Sequence, residues 1–151
     1  CSSDLLATES DKPITVLVCS PGGHVEAGDA IHDMIRFVNA PVFTVGTGWV
    51  GSAAAHIYLA APKERRLCLP NTRFLIHQPA GGAGGQATDI AIQAEQLAYT
   101  KRRMAELISQ HSGQPLERIQ ADSERDRWFT AEEAKAYGLV DHVILRRGEI
   151  V

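Results

Sequence analysis

The sequence predicts an α/β domain built on a largely parallel sheet. Three observations predict it. Short β-rich runs alternate with segments of helical period, the connections between them are short, and Gly or Pro punctuates the joins. The 151 residues suit one domain that can bury a core without disulfides or metals. Hydrophobic residues make up 44% and charged residues 22%, the ordinary composition of a soluble globular chain.

The elements follow in order. Ile14-Thr15-Val16-Leu17-Val18 is a β-rich run that stops at Ser20-Pro21-Gly22-Gly23. Ala27, Ile31, Met34, Ile35 and Val38 then fall on one helix face. Pro41 resets the chain, and Val42 to Val45 reads as a second strand. Gly46, Gly48 and Gly51 mark a turn before Ser52, after which Ala53 to Ala61 read as a buried helix. Arg66 to Leu69 and Arg73 to Ile76 read as two strands joined through Pro70-Asn71. A glycine run, Gly81-Gly82-Ala83-Gly84-Gly85, precedes a long amphipathic helix marked by Ile90, Ala94, Leu97, Met104, Leu107 and Ile108 and closed by Ser112-Gly113. Pro115 starts a shorter helix. Thr130-x-x-Glu133 is a capping box opening another, which Gly138 ends, and Val143 to Leu145 is a last strand.

Composition excludes several functions. With 15 Lys+Arg against 18 Asp+Glu the net charge is −3, which lacks the basic surplus that nucleic-acid binding needs. No run approaches the roughly 18 apolar residues of a membrane span, and no basic segment precedes an apolar one as in a signal peptide. Cys1, Cys19 and Cys68 are odd in number and lack C-x-x-C spacing, so they indicate neither a disulfide framework nor a zinc site. Cys19 and Cys68 read as buried strand thiols, in a reducing, cytosolic setting. The chain opens on Cys1 rather than Met, and is expected to lack its natural N-terminus.

Ser52 follows a strand and a glycine-rich turn and precedes a helix, a placement that lifts a hydroxyl onto an exposed corner. An ordinary helix N-cap would look the same. The window Val50-Gly51-Ser52-Ala53-Ala54 lacks the G-x-S-x-G pattern, which disfavours an α/β-hydrolase. A nucleophilic serine needs a base. Of 6 histidines, His32 and His111 read as solvated helix residues, and His56 lies one turn after Ser52, badly aimed to reach back. His77 ends the apolar run Phe74-Leu75-Ile76 at the lip where a sheet meets a loop; a structural histidine bonded to backbone is the plain alternative. Asp126, in Glu124-Arg125-Asp126-Arg127, could orient an imidazole or simply belong to a solvated charge cluster. Gly22-Gly23 could present backbone donors to an oxyanion, or form an ordinary turn.

Their order along the chain adds what none carries singly. Ser20-Pro21-Gly22-Gly23, Ser52, Ile76-His77-Gln78-Pro79, Gly84-Gly85-Gln86-Ala87-Thr88 and Glu124-Arg125-Asp126 together resemble the ClpP family, the proteolytic subunit of the ATP-dependent Clp protease. The resemblance runs from about Leu5 to Ile144, through Leu69-Pro70-Asn71-Thr72-Arg73 and Glu132-Glu133-Ala134-Lys135 to Tyr137-Gly138-Leu139-Val140-Asp141, and the spacings among Ser52, His77 and Asp126 match without gaps.

The resemblance implies a ClpP/crotonase-type right-handed spiral of β-β-α units with a projecting handle helix: one domain over 1–151, its head at 1–80 and 114–151 and its handle at about 81–113. It implies Ser52 as nucleophile, His77 as base and Asp126 as orienter, with the N–H groups of Gly23 and Ala53 as oxyanion hole. Gly81, Gly82, Gly84 and Gly85 would let an extended strand lie along unfolded polypeptide, and Glu124, Arg125 and Gln86 would contact other subunits. Two stacked heptameric rings, homomeric or mixed, would form the barrel. An AAA+ unfoldase would dock on a cleft including Thr15, Leu17, Phe37, Val45, Thr47, Leu69 and Ile144 and would use the ATP; the subunit itself would need no cofactor or metal. Location would be cytoplasmic, and the axial-loop segment found N-terminal in the family would precede this chain.

The sequence departs from the family pattern around the serine, where Trp49-Val50-Gly51 replaces Gln-Ala-Ala and Ala53-Ala54 replaces Met-Gly; the usual Asn before Ser20 is Cys19. Trp49 is expected to fill or reshape the neighbouring pocket. The departures suggest a divergent, second-copy subunit, and keep open a catalytically weak structural ring subunit. A crotonase-like acyl-CoA enzyme needs no such triad. A Ser-Lys peptidase would need Lys63 or Lys101 at Ser52.

Overall fold

One long strand organises the sheet. In the computed structural model, which describes residues 12–150, β2 (Val42–Gly51) has β1 (Ile14–Ser20) parallel along one edge, from Ile14 opposite Val42 to Ser20 opposite Val50. Two short strands share its other edge in succession: β3 (Arg66–Cys68) beside Thr44–Gly46, and β4 (Arg73–Ile76) beside Trp49–Gly51, both parallel. Outside them lie β5 (Arg127–Phe129), antiparallel to β4, and β6 (His142–Val143), parallel to β3.

The glycines read as a turn after Val45 lie inside β2. They let it change partners: the Gly46 carbonyl accepts from Leu69 N at 3.0 Å and Thr72 Oγ1 at 2.9 Å, while Gly48 takes φ +59°. A Cβ at Gly46 would stand 3.1 Å from the Phe74 ring, so close packing explains the residue. β5 has no counterpart in the sequence reading, because three residues are too few to show a period. The last strand ends earlier than expected, at Val143, leaving Ile144 buried and Leu145 exposed.

Among the described residues five helices pack around the sheet: α1 (Val25–Phe37), α2 (Ala53–Tyr58), α3 (Ala87–Ser112), α4 (Leu116–Asp122) and α5 (Ala131–Tyr137). α2 is shorter than expected, though Leu59, Ala60 and Ala61 beyond it remain buried. α1 buries Gly28, His32 and Ile35, one residue round from the expected face, and leaves Ala27 and Ile31 exposed. The cause is Gly28, which lies flush on α2: a Cβ there would be 3.3 Å from the Ala53 Cβ.

The main core gathers Val50, Tyr58, Phe74, Ile108, Ile119 and Ala134 from both helices and sheet. Only the C-terminal part of α3 joins it, through Ala105 and Ile108, with Met104 and Ser112 also buried; residues 87–99 are exposed throughout. Gly113 closes α3 at φ +76°. The capping box of α5 forms, with Glu133 accepting from Thr130 N at 2.7 Å. Gly138 ends α5 at φ +94°, and a Cβ there would fall on the Ser112 carbonyl.

Candidate active site

The edge where β2 hands over to α2 carries the site. Ser52 stands there at φ 54° and ψ −124°, the one non-glycine positive φ among the described residues. Such a conformation costs on the order of 1–3 kcal/mol and persists only where the surroundings impose it. Here Ser52 N donates to Leu75 O at 3.0 Å, and the Ser52 carbonyl accepts from Ala55 and His56 at the start of α2. The hydroxyl makes no capping bond, so Ser52 is not an ordinary side-chain N-cap.

Its Oγ lies 2.8 Å from His77 Nε2, and His77 Nδ1 lies 3.0 Å from Asp126 Oδ1. A carboxylate only accepts, so the Nδ1 proton donates to Asp126 and the Nε2 lone pair faces the Ser52 hydroxyl. β4 delivers His77 at its C-terminal end. The Asp126 loop is tied to the same point: Gln78 N donates to Ser123 O at 2.7 Å, and Gln78 Nε2 to Glu124 O at 2.8 Å. Gln78 was legible only as part of a motif; its work is to hold the loop carrying Asp126 against the strand carrying His77. The site is open, with the His77 side chain 28% and Asp126 63% exposed in the isolated chain.

Gly22 and Gly23 complete the corner at φ +106° and +151°. A Cβ on Gly22 would lie 2.6 Å from the Ser52 Cβ and 2.9 Å from Ala53 N, whereas Gly23 opens on free space. Beside Gly23 a cleft of about 530 Å³ runs between the start of α1 and the glycine run, lined by Val25, Pro79, Ala80, Gly81, Gly82 and Leu97. Gly81 to Gly85 are exposed and form neither helix nor strand. Gln86 stands at the N-cap of α3, its carbonyl accepting from Ile90 N.

The remaining sequence expectations separate. Trp49 lies with its indole Nε1 over Gly51, where a Cβ would be only 2.6 Å away, and packs on Trp128 at 5.5 Å between ring centroids. Arg125 is exposed beside Asp126, while Glu124 binds Lys101 Nζ at 2.7 Å within the chain. Lys101 is thereby committed away from Ser52, and Lys63 sits in a short 3-10 turn. Leu17, Phe37 and Leu69 are exposed, as a docking surface requires, but Val45 and Ile144 are not: both are buried with Phe43 and Leu67 where β3 and β6 cover that side of β2. Cys19 is exposed, against expectation, because β1 leaves that side of the strand open; Cys68 is buried, and burial pushes its thiol up to about 12. Cys1 lies outside the described residues.

His32 and His111 also differ from expectation. His32 is buried and stacked on buried His56 at 4.3 Å, with His111 edge-on to it at 5.7 Å and half-buried. Helical position alone does not reveal that three imidazoles from three helices meet.

The family model described as Clp protease matches residues 4–147. The chain belongs to the Clp protease family. Among relatives of this Clp-family chain, the ATP-dependent Clp protease proteolytic subunit 3 of Rhizobium meliloti (strain 1021) is 57% identical over 145 residues, covering 96% of this chain and 74% of the relative. The ATP-dependent Clp protease proteolytic subunit of Paracoccus denitrificans is 53% identical over 139 residues, covering 92% and 70%. A solved structure, the ClpP1 N165D mutant from Listeria monocytogenes, superposes with a TM-score of 0.92 at 48% identity, covering 99% of this chain and 85% of that one. The α/β fold expected from the sequence, a curled sheet flanked by helices, is the ClpP fold.

Proposed function

We propose that this Clp-family chain is a serine endopeptidase subunit in which Ser52, His77 and Asp126 hydrolyse peptide bonds of unfolded polypeptide. The observation carrying this reading is Ser52, held at φ 54° with its hydroxyl 2.8 Å from a histidine whose far nitrogen faces a carboxylate. As His77 Nε2 takes the hydroxyl proton, Ser52 Oγ attacks the carbonyl carbon and the carbonyl oxygen becomes an oxyanion stabilised by Gly23 and Ala53 N–H. His77 then protonates the departing amine as the C–N bond breaks. Water repeats the sequence on the acyl-enzyme and frees Ser52.

The cleft beside Gly23 receives the polypeptide, with Gly81, Gly82, Gly84 and Gly85 offering backbone to an extended strand. The first half of α3 carries Ile90, Ile92, Leu97 and Tyr99 in the open, so it acts as the handle and is covered by another subunit. Two stacked heptameric rings form the chamber, with Arg125, Glu124 and Gln86 at subunit contacts that shelter Asp126. An AAA+ unfoldase docks over Leu17, Phe37 and Leu69 and supplies ATP-driven unfolding in the cytoplasm; the subunit needs no cofactor. No helix among the described residues is long and apolar enough to cross a membrane. The fitted Ser–His–Asp geometry counts against a purely structural ring subunit or an acyl-CoA enzyme.

A fluorophosphonate probe tests the reading. It is expected to label Ser52 in the assembled particle, with Ser52→Ala unlabelled. Failure to label an assembled particle of verified mass would overturn it.

A further inference from the structure

A second histidine–carboxylate arrangement lies behind the site. Asp29, on α1, is gripped through both carboxylate oxygens by Arg103 of α3, Nη1 to Oδ1 at 3.0 Å and Nη2 to Oδ2 at 2.5 Å. The same Oδ1 lies 2.7 Å from Nε2 of His56, on α2. His32, one turn after Asp29, stacks on the His56 ring within 5° of parallel and donates from Nδ1 to the His56 carbonyl at 2.9 Å. One carboxylate therefore lies between three helices, hydrogen-bonded to Arg103 and in close contact with His56.

Two of those helices begin at the proposed oxyanion hole: α1 just after Gly23, α2 at Ala53. They also touch directly, Gly28 flush against Ala53 and His32 stacked on His56, and Asp29 adds the tie that carries both to α3. The third helix, α3, supplies Arg103 from the turn where its exposed part gives way to its buried part. Around His56 the charged and titratable groups are Asp29 and His32 from α1, Arg103 from α3 and, beyond His32, His111 with Arg66 and Arg36. Burial pushes the Asp29 carboxyl up, but the bonds and charge of Arg103, with His56, outweigh it and hold it below its ordinary value. The carboxylate is thus charged where it must balance Arg103.

We infer that Asp29 is a positioning residue that fixes α1 and α2 against the base of α3, and so fixes the spacing of the Gly23 and Ala53 N–H groups that receive the oxyanion. The role rests on the proposed serine mechanism. It acts only when charge develops on the carbonyl oxygen, so it bears on turnover more than on substrate binding.

The test uses the assembled enzyme, its mass verified, with a short fluorogenic peptide and a peptide boronate that forms a tetrahedral adduct on Ser52. Asp29→Asn is expected to lower kcat about 10- to 100-fold with KM within about twofold, and to weaken the boronate by the same factor as kcat. Asp29→Glu should restore part of both. Arg103→Gln, outside the catalytic corner, should reproduce the pattern and serves if Asp29→Asn does not assemble. Wild-type kcat and boronate affinity in assembled Asp29→Asn or Arg103→Gln, with Ser52→Ala inactive, would overturn the positioning role alone. Turnover retained in Ser52→Ala would overturn the serine mechanism beneath it.

Discussion

Two histidine–carboxylate pairs lie near Ser52 in opposite surroundings, one open and one buried. His77 and Asp126 meet at 3.0 Å at an open lip, and the second imidazole nitrogen faces the Ser52 hydroxyl. His56 and Asp29 meet at 2.7 Å behind α2, where His56 is 1% exposed and its ring lies flat against His32. Contact with a carboxylate does not separate them. Access does: only the first imidazole can take a proton from a hydroxyl and pass it to something arriving from solvent.

The largest expected effect tests the first pair. Ser52→Ala or His77→Ala should reduce peptide turnover by on the order of 10⁶-fold, and Asp126→Asn by about 10⁴-fold, measured in assembled particles. An Asp126 effect as small as that of a surface carboxylate would dissolve the contrast between the pairs.

A middle-sized effect tests the second. Burial, then the neighbouring His32, lowers His56 from 6.5 to about 4, and burial does the same for His111. Between those values the unfolded chain binds protons that the folded chain refuses. Stability therefore falls as pH drops from about 6.5 to about 4, then levels off once both states are protonated. His56→Phe should reduce that slope in thermal melts across the window, leaving the part that His111 contributes.

The smallest effect serves as a control away from both pairs. Gly138→Ala forces a side chain onto the Ser112 carbonyl at φ +94°, and should cost about 1–3 kcal/mol in denaturant melts. Its pH slope and its turnover per assembled particle should match the wild type. A changed slope would mean that the pH dependence is not confined to the histidine cluster.

Much of the fold was legible where the cause is local. The capping box at Thr130, the glycine closures at Gly113 and Gly138 and the strand ending just before His77 each depend on neighbours a few residues away. Glycine misled where its reason was tertiary: Gly46 is small because Phe74, Val50 and Thr72 crowd it, not because the chain turns. In α1 the apolar period chose a face containing Ile31, but the flush contact at Gly28 turned His32 inward instead.

The sequence by itself determined the alternating architecture, the family, and the identity and order of Ser52, His77 and Asp126, because motif residues and turn chemistry are written in short windows. Only the tertiary structure decided that those three meet, that Val45 and Ile144 lie in a core, and that Asp29 lies between three helices. A linear pattern records each residue's polarity, while the partner that satisfies a polar group comes from another element, at a distance set by packing.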